Sequence, residues 1–290
     1  MHEAMLWKSL PNNEVQCNVC HHRCIIKDGR RGICAVRENR QGTLYALNYG
    51  WTVSAAIDPI EKKPLAHFLP GSKIYSFATV GCNLRCSWCQ NWEISQSPKP
   101  NKSIQGYEVS PEEHVKRAIE YHCPSIAYTY SEPTVFLEYA LETMKLAREK
   151  GIKNVWVTNG YMTRETLEII APYLDAANVD FKGADDGAYE KYCGAKPAPI
   201  MENMKYLCEH GVHLEVTTLV VPGVNDQEKQ LNEIAHALVE NLGSEVPWHI
   251  TRFFPAWKMY ASPITPIKTM ELAKKIAQEA GIHFIHLGNL

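Results

Sequence analysis

From residue 73 onward, short apolar runs alternate with longer stretches in which apolar residues recur every three or four positions. Residues 74–80 (IYSFATV) predict a strand. Ser110, Pro111 and Glu113 stand at the N-cap, N1 and N3 positions of a helix, a capping-box arrangement. Further strands are predicted over 125–130, 154–157, 177–181, 213–221, 248–253 and 283–287. Helices are predicted between them: from 134 to just before Gly151, and over 163–173, 200–210, 226–241 and 268–280. This alternation predicts parallel β/α units. No G-x-G-x-x-G follows a strand, so the dinucleotide-binding fingerprint is absent. Residues 73–290 fall short of the ~250 residues of a full eight-unit barrel. The expected fold is therefore α/β: a partial, open (β/α)6 barrel with a terminal strand over 73–290, preceded by an N-terminal extension over 1–72.

Composition narrows the function. Among 290 residues, Lys plus Arg is 30 and Asp plus Glu is 32, a net charge of -2. That excludes a globally basic nucleic-acid coat. No apolar run approaches the roughly 18–20 residues of a membrane span. The start, MHEAMLWKSLPNNE, lacks the apolar core of a signal peptide, so a cytoplasmic location is expected. In a reducing compartment, spaced cysteines point to metal or catalysis. Of the 10 cysteines, Cys17, Cys20, Cys24 and Cys34 form one group and Cys82, Cys86 and Cys89 another. Cys123, Cys193 and Cys208 are scattered and read as small core or surface residues.

The second group lies in the loop GCNLRCSWC after the first strand, a C-x3-C-x2-C spacing with Trp88 before the last cysteine. Three thiolates on one loop suit three irons of a 4Fe–4S cluster, which normally takes four cysteines, leaving one iron for a ligand from outside the protein. A structural zinc site would want a fourth Cys or His in the loop, and none is there. Polar residues also gather where later strands end: Ser131 and Glu132, Thr158 and Asn159, Asp180 and Lys182, His249 and Arg252. In β/α barrels that face carries the active site.

The loop resembles the signature of radical S-adenosylmethionine (SAM) enzymes. The resemblance implies that Cys82, Cys86 and Cys89 hold a 4Fe–4S cluster whose open iron is chelated by SAM. It implies reductive cleavage of SAM to a 5′-deoxyadenosyl radical that takes hydrogen from a substrate. Trp88 matches the position that packs on adenine. AYTYSEP, with Ser131 and Glu132, is similar to the motif that binds the methionyl amino group. VTNG, with Thr158 and Asn159, is similar to the ribose-contacting turn, and VDFK, with Asp180 and Lys182, to a D-x-K that lines the pocket in glycyl-radical activating enzymes. An ordinary ion pair is the alternative for Asp180 and Lys182. His249 is expected to bind substrate, shuttle a proton or serve structure. AIDPIEKKPLAHFLPG and the N-terminal cysteines resemble the AmmeMemoRadiSam subgroup, related to pyruvate formate-lyase activating enzymes. Flavodoxin or ferredoxin is then the expected electron donor, with a protein or small-molecule substrate.

Cys17, Cys20, Cys24 and Cys34 supply four soft ligands, suited to zinc or a second iron–sulfur cluster. The segment resembles a zinc knuckle, and its Arg23, Lys27, Arg30, Arg31, Arg37 and Arg40 would offset the thiolate charge. A nucleic-acid partner is not expected. Two other functions compete. One is a glycyl-radical activase, although the ferredoxin-like cysteine insert of many activases is absent. The other is a non-catalytic metal protein that binds RNA or a partner.

Overall fold

The computed structural model describes residues 2–101 and 103–290. An eight-stranded sheet organises the chain. In spatial order its strands are Ser54–Pro59, Lys73–Ala78, Ser125–Tyr128, Lys153–Thr158, Ala176–Asp180, His213–Val220, Trp248–Arg252 and Ile285–Gly288. All but the first run parallel, each beside its successor in sequence. This is the open β/α architecture the alternation predicts, with six units and a terminal strand. The inner strands from Lys73–Ala78 to His213–Val220 are buried almost throughout, which is why they read as near-continuous apolar runs.

The strand Ser54–Pro59 was not expected. It pairs antiparallel with Lys73–Ala78, from Ser54 against Ala78 to Pro59 against Lys73, and so covers the sheet edge. The expected boundary between residues 72 and 73 falls between this strand and its partner. The intervening segment folds under the N-terminal ends of the strands. Ile60 and Leu65 pack there on Ile74, Ala127, Val155 and Ala176. Asn178 Nδ2 donates to Pro64 O at 2.7 Å, and the backbone N–H groups of Ala66 and His67 donate to Glu215 at 2.9 and 2.8 Å. The IEKKPLAHFLPG stretch is thus a plug that closes one end of the barrel.

Helices cover the outer face. Ser110 caps Pro111–Glu120, accepting from Glu113 N at 3.3 Å. The Glu113 carboxylate pairs with Arg117 at 3.0 Å. Leu137–Glu149 ends ahead of Gly151, whose φ of +72° lies in the left-handed region that glycine tolerates. The helix Asp186–Cys193 is an addition to the predicted set; Asp185 caps it by accepting from Ala188 N. Among the described residues no helix is long and apolar enough to cross a membrane.

The N-terminal segment forms two small antiparallel sheets, one of Trp7–Ser9, Val15–Cys17 and Ile25–Ile26, the other of His2–Glu3, Arg37–Arg40 and Thr43–Ala46. Their buried Val15, Ile26, Val36 and Leu44 share a core with Phe77, Val80 and Leu84 of the barrel. Arg37 and Glu138 lock the two parts with a bidentate pair at 3.0 and 2.7 Å, both side chains 2% exposed.

Candidate active site

The cysteine loop leaves the C-terminal end of Lys73–Ala78 and is anchored from several sides. Arg85 N and Ser87 N donate to the carbonyls of Cys193 and Tyr192 at the end of the helix Asp186–Cys193. Gly81 has φ +105°, and a Cβ there would meet Val36 Cγ1 at 2.6 Å and Cys34 O at 3.2 Å. Only glycine lets the loop lie this close to the N-terminal segment. His22 Nε2 donates to Asn83 O at 2.9 Å, tying the two cysteine groups together directly.

Donors surround the sulfurs. Leu84 N lies 3.3 Å from Cys82 Sγ, Ser95 Oγ 3.3 Å from Cys89 Sγ, and Asn159 Nδ2 3.8 Å from Cys82 Sγ. Cys193 donates toward Cys86; that bond and the Lys182 ammonium outweigh burial and hold Cys86 below the ordinary cysteine pKa. Burial, then the Glu132 charge, push the Cys82 thiol well up. Asn83 Nδ2 is buried with no partner in the protein. Among the described residues no three ligating side chains already converge as tightly as around a bound ion. The fit to a metal–thiolate group is one of donor chemistry: N–H, O–H and S–H groups facing three sulfurs, with an orphaned amide in the same loop.

The strand ends meet this loop. Glu132 is 2% exposed. Its Oε1 accepts from Thr134 N, Thr134 Oγ1 and Thr158 Oγ1 at 3.1, 2.6 and 2.6 Å, and its Oε2 from Asn159 N at 2.8 Å. Burial pushes its pKa up against those bonds, and no cation pairs with it among the described residues. Asn159 Nδ2 donates to Asn83 Oδ1 at 2.8 Å, linking the end of Lys153–Thr158 to the cysteine loop. Ser131 Oγ donates to Thr79 O at 2.7 Å. Lys182 Nζ pairs with Asp180 at 3.1 Å; burial opposes its charge, but Asp180 and Cys86 outweigh burial and raise its pKa. Trp88 is buried against Tyr192, with ring centroids 6.0 Å apart, and lines a pocket with Lys182, Tyr189 and Cys193.

His249 is not brought here. It stands second in Trp248–Arg252, donates to Glu215 at 2.6 Å and stacks on His286, against the plug. The expectation that it faces the mouth with Arg252 is corrected.

The four N-terminal cysteines line one cavity together with His22 and Arg37. Cys17 N donates to Cys24 O at 3.0 Å. Burial raises the thiol pKa of Cys17, Cys20, Cys24 and Cys34. Arg37 Nε, though buried, has no partner in the protein. Sequence reasoning missed Asn83, Ser95, Lys99 and Cys193. Asn83 and Ser95 lie in or near the motif and could have been flagged; nothing local marks Cys193 as a neighbour of Cys86.

Family comparison agrees with this geometry. The radical SAM superfamily matches residues 77–234. The chain belongs to the radical SAM superfamily. Members of this superfamily are enzymes that use a 4Fe–4S cluster and SAM. This radical SAM protein is 47% identical over 290 residues to an uncharacterized protein of Methanocaldococcus jannaschii, covering 100% of this chain and 86% of that one. It is 24% identical over 168 residues to the pyruvate formate-lyase-activating enzyme of Clostridium pasteurianum, covering 56% of this chain and 67% of that enzyme. The fold of this radical SAM protein is similar to that of a radical SAM methyltransferase from Sphaerobacter thermophilus (TM-score 0.58, 15% identity, 76% of this chain and 67% of that one). It is also similar to Streptococcus suis SuiB bound to S-adenosylmethionine (TM-score 0.55, 14% identity, 72% and 48%).

Proposed function

We propose that this chain is a hydrogen-abstracting radical SAM enzyme of the AmmeMemoRadiSam type, with Cys82, Cys86 and Cys89 as the cluster ligands. When bound, cluster and SAM supply a 5′-deoxyadenosyl radical by reductive cleavage of the sulfonium. One observation carries the reading: the Glu132 carboxylate is buried beside Cys82 with no cation among the described residues to answer it. An uncompensated buried charge is costly, and a positively charged ligand at the same mouth relieves it. Oε1 is taken up by Thr134 and Thr158; Oε2 holds only the Asn159 N–H and can meet the ammonium of SAM. In this reading Glu132 also fixes Thr158 and Asn159, which face the ribose. Ser131 completes the turn, and Trp88 packs on the adenine. Asp180 and Lys182 hold a fixed charge pair beside Cys86, where Lys182 orients substrate and keeps a proton at Nζ.

The N-terminal cysteines hold one further metal centre, zinc or a second cluster, whose thiolate charge is answered by the orphaned Arg37 Nε–H. Flavodoxin or ferredoxin is the proposed electron donor. A glycyl-radical activase remains the second reading, favoured by homology to pyruvate formate-lyase activating enzymes. Anaerobic reconstitution tests the site. The protein with Cys82, Cys86 and Cys89 all changed to Ala should lose the SAM-responsive signal of the reduced cluster. In that same variant, metal analysis should still find about one zinc or a residual cluster per chain; finding neither refutes the N-terminal centre.

A further inference from the structure

We propose that the groove between the N-terminal cysteine segment and the cysteine loop binds single-stranded nucleic acid. This goes beyond the radical chemistry and does not depend on it.

The groove encloses about 690 Å³. Its cations come from separate parts of the chain: Arg30 and Arg31 from the N-terminal segment, Arg85 from the cysteine loop, Lys99 from the short helical segment after that loop, and Lys258 from the loop after Trp248–Arg252. Among the described residues no acidic one lines it. In a chain of net charge -2, such a concentration is a local feature that composition conceals. Arg31 is paired with Glu38 at 2.7 Å. Lys99 donates to Leu84 O at 2.9 Å and Gln96 Oε1 at 2.7 Å, and its ammonium also stands near sulfurs of both cysteine groups. Lys258 lies 4.3 Å over the Trp257 ring.

Two indoles stand among these cations. Trp92 and Trp257 have parallel rings, 6° between planes and 6.5 Å between centroids, the far end of ring–ring contact. Trp92 is 40% exposed, so core packing does not account for it. Trp257 holds φ +45°, a conformation bulky residues rarely adopt, and Lys258 N donates to Ser87 O at 3.1 Å, which pins this loop to the cysteine loop.

Cations that track a backbone, interleaved with aromatic faces on which bases stack, are the working parts of single-strand recognition. A duplex keeps its bases stacked on each other and has no use for the indoles. An acidic protein would use the cations but leave parallel rings in a concave site unexplained. The groove opens beside the cysteine loop, so a bound strand lies next to the barrel mouth.

The test is fluorescence anisotropy of labelled ten-nucleotide RNA and DNA single strands, and of a duplex of equal length, with the reconstituted protein. One or both single strands should bind more tightly than the duplex. The affinity should fall with salt with a log–log slope of up to about -3.5, or ~0.7 for each of five cations. Trp92→Ala should weaken binding by about 5–150-fold, the loss of one stacked base. Trp257→Phe should keep most of the affinity that Trp257→Ala loses, which separates stacking from misfolding. Arg30→Glu with Arg85→Glu should lower the slope by about 1.4 or more. No binding of either strand at about 100 µM protein and 50 mM salt overturns the proposal, as does binding that neither tryptophan variant changes. Charge reversals that slow reduction by an acidic flavodoxin, with strand affinity intact, also overturn it and make the groove a protein dock.

Discussion

Glu132 and Glu215 are both buried carboxylates that accept four hydrogen bonds from the protein, yet they occupy opposite ends of the barrel and their pKa values are shifted in opposite directions. Glu215 sits at the plug. His213 and His249 donate to it at 2.9 and 2.6 Å, and Ala66 N and His67 N complete its shell. Burial works to raise its pKa, but these four donors prevail and hold it well below the usual carboxylate range. Glu132 sits at the mouth with hydroxyl and backbone donors only, and burial prevails. The number of bonds is the same; the difference is whether a group that can carry positive charge is among the partners. A carboxylate answered within the chain is architecture; one left without a counter-charge is costly to bury, and the proposed ammonium of SAM would relieve that cost at Glu132.

The sharpest break of this comparison is at the sulfurs. Changing Cys82, Cys86 and Cys89 to Ala should abolish the cluster and its SAM-responsive signal outright, while a variant lacking His249 should keep the signal. Glu132→Gln comes next. It should weaken SAM binding by about 10–150-fold, the worth of a charge-assisted bond of about 1.5–3 kcal/mol, with the cluster intact. Calorimetry beside a melting curve decides: unchanged affinity with a lowered melting temperature makes Glu132 a cap on the loop before Leu137–Glu149 and nothing more.

Glu215→Gln should instead cost stability, by roughly 1.5–3 kcal/mol at pH 7, with SAM affinity unchanged in the folded protein. The sign with pH comes from its depressed folded pKa. Its stabilisation is present above the unfolded carboxylate value of ~4.3 and is lost as pH falls toward the folded value. Urea titrations should therefore show the gap between wild type and variant closing below about pH 4. A gap that stays constant with pH removes the electrostatic account. The smallest effect is expected at Lys274 on the outer helix Ile267–Glu279, where Ala should shift stability by no more than about 0.5 kcal/mol and leave SAM binding alone.

Much of the candidate site was legible because its parts are local. Cys82, Cys86 and Cys89 lie on one short loop, and Glu132, Thr158 and Asp180 each follow or end a strand whose apolar run announces it. In a parallel β/α fold, successive strand ends share one face, so a list of strand-terminal polar residues is already a rough map of the mouth. His249 escaped this rule because its position within its strand, second of five, matters more than its residue type. The helix Asp186–Cys193 was hidden by its low apolar content, and the strand Ser54–Pro59 by having little to pack on its exposed face.

The chain by itself determined the order and direction of the β/α units, the capping of Pro111–Glu120 and the spacing of both cysteine groups, since each depends on residues a few positions apart. The tertiary structure alone decided which distant groups meet. It set Cys193 beside Cys86, Arg37 against Glu138 101 residues away, the plug under Glu215, and Arg30 in one groove with Trp92 and Trp257. Those pairings arise from where folded layers bring their faces together, a property of the whole packing that no local spacing encodes.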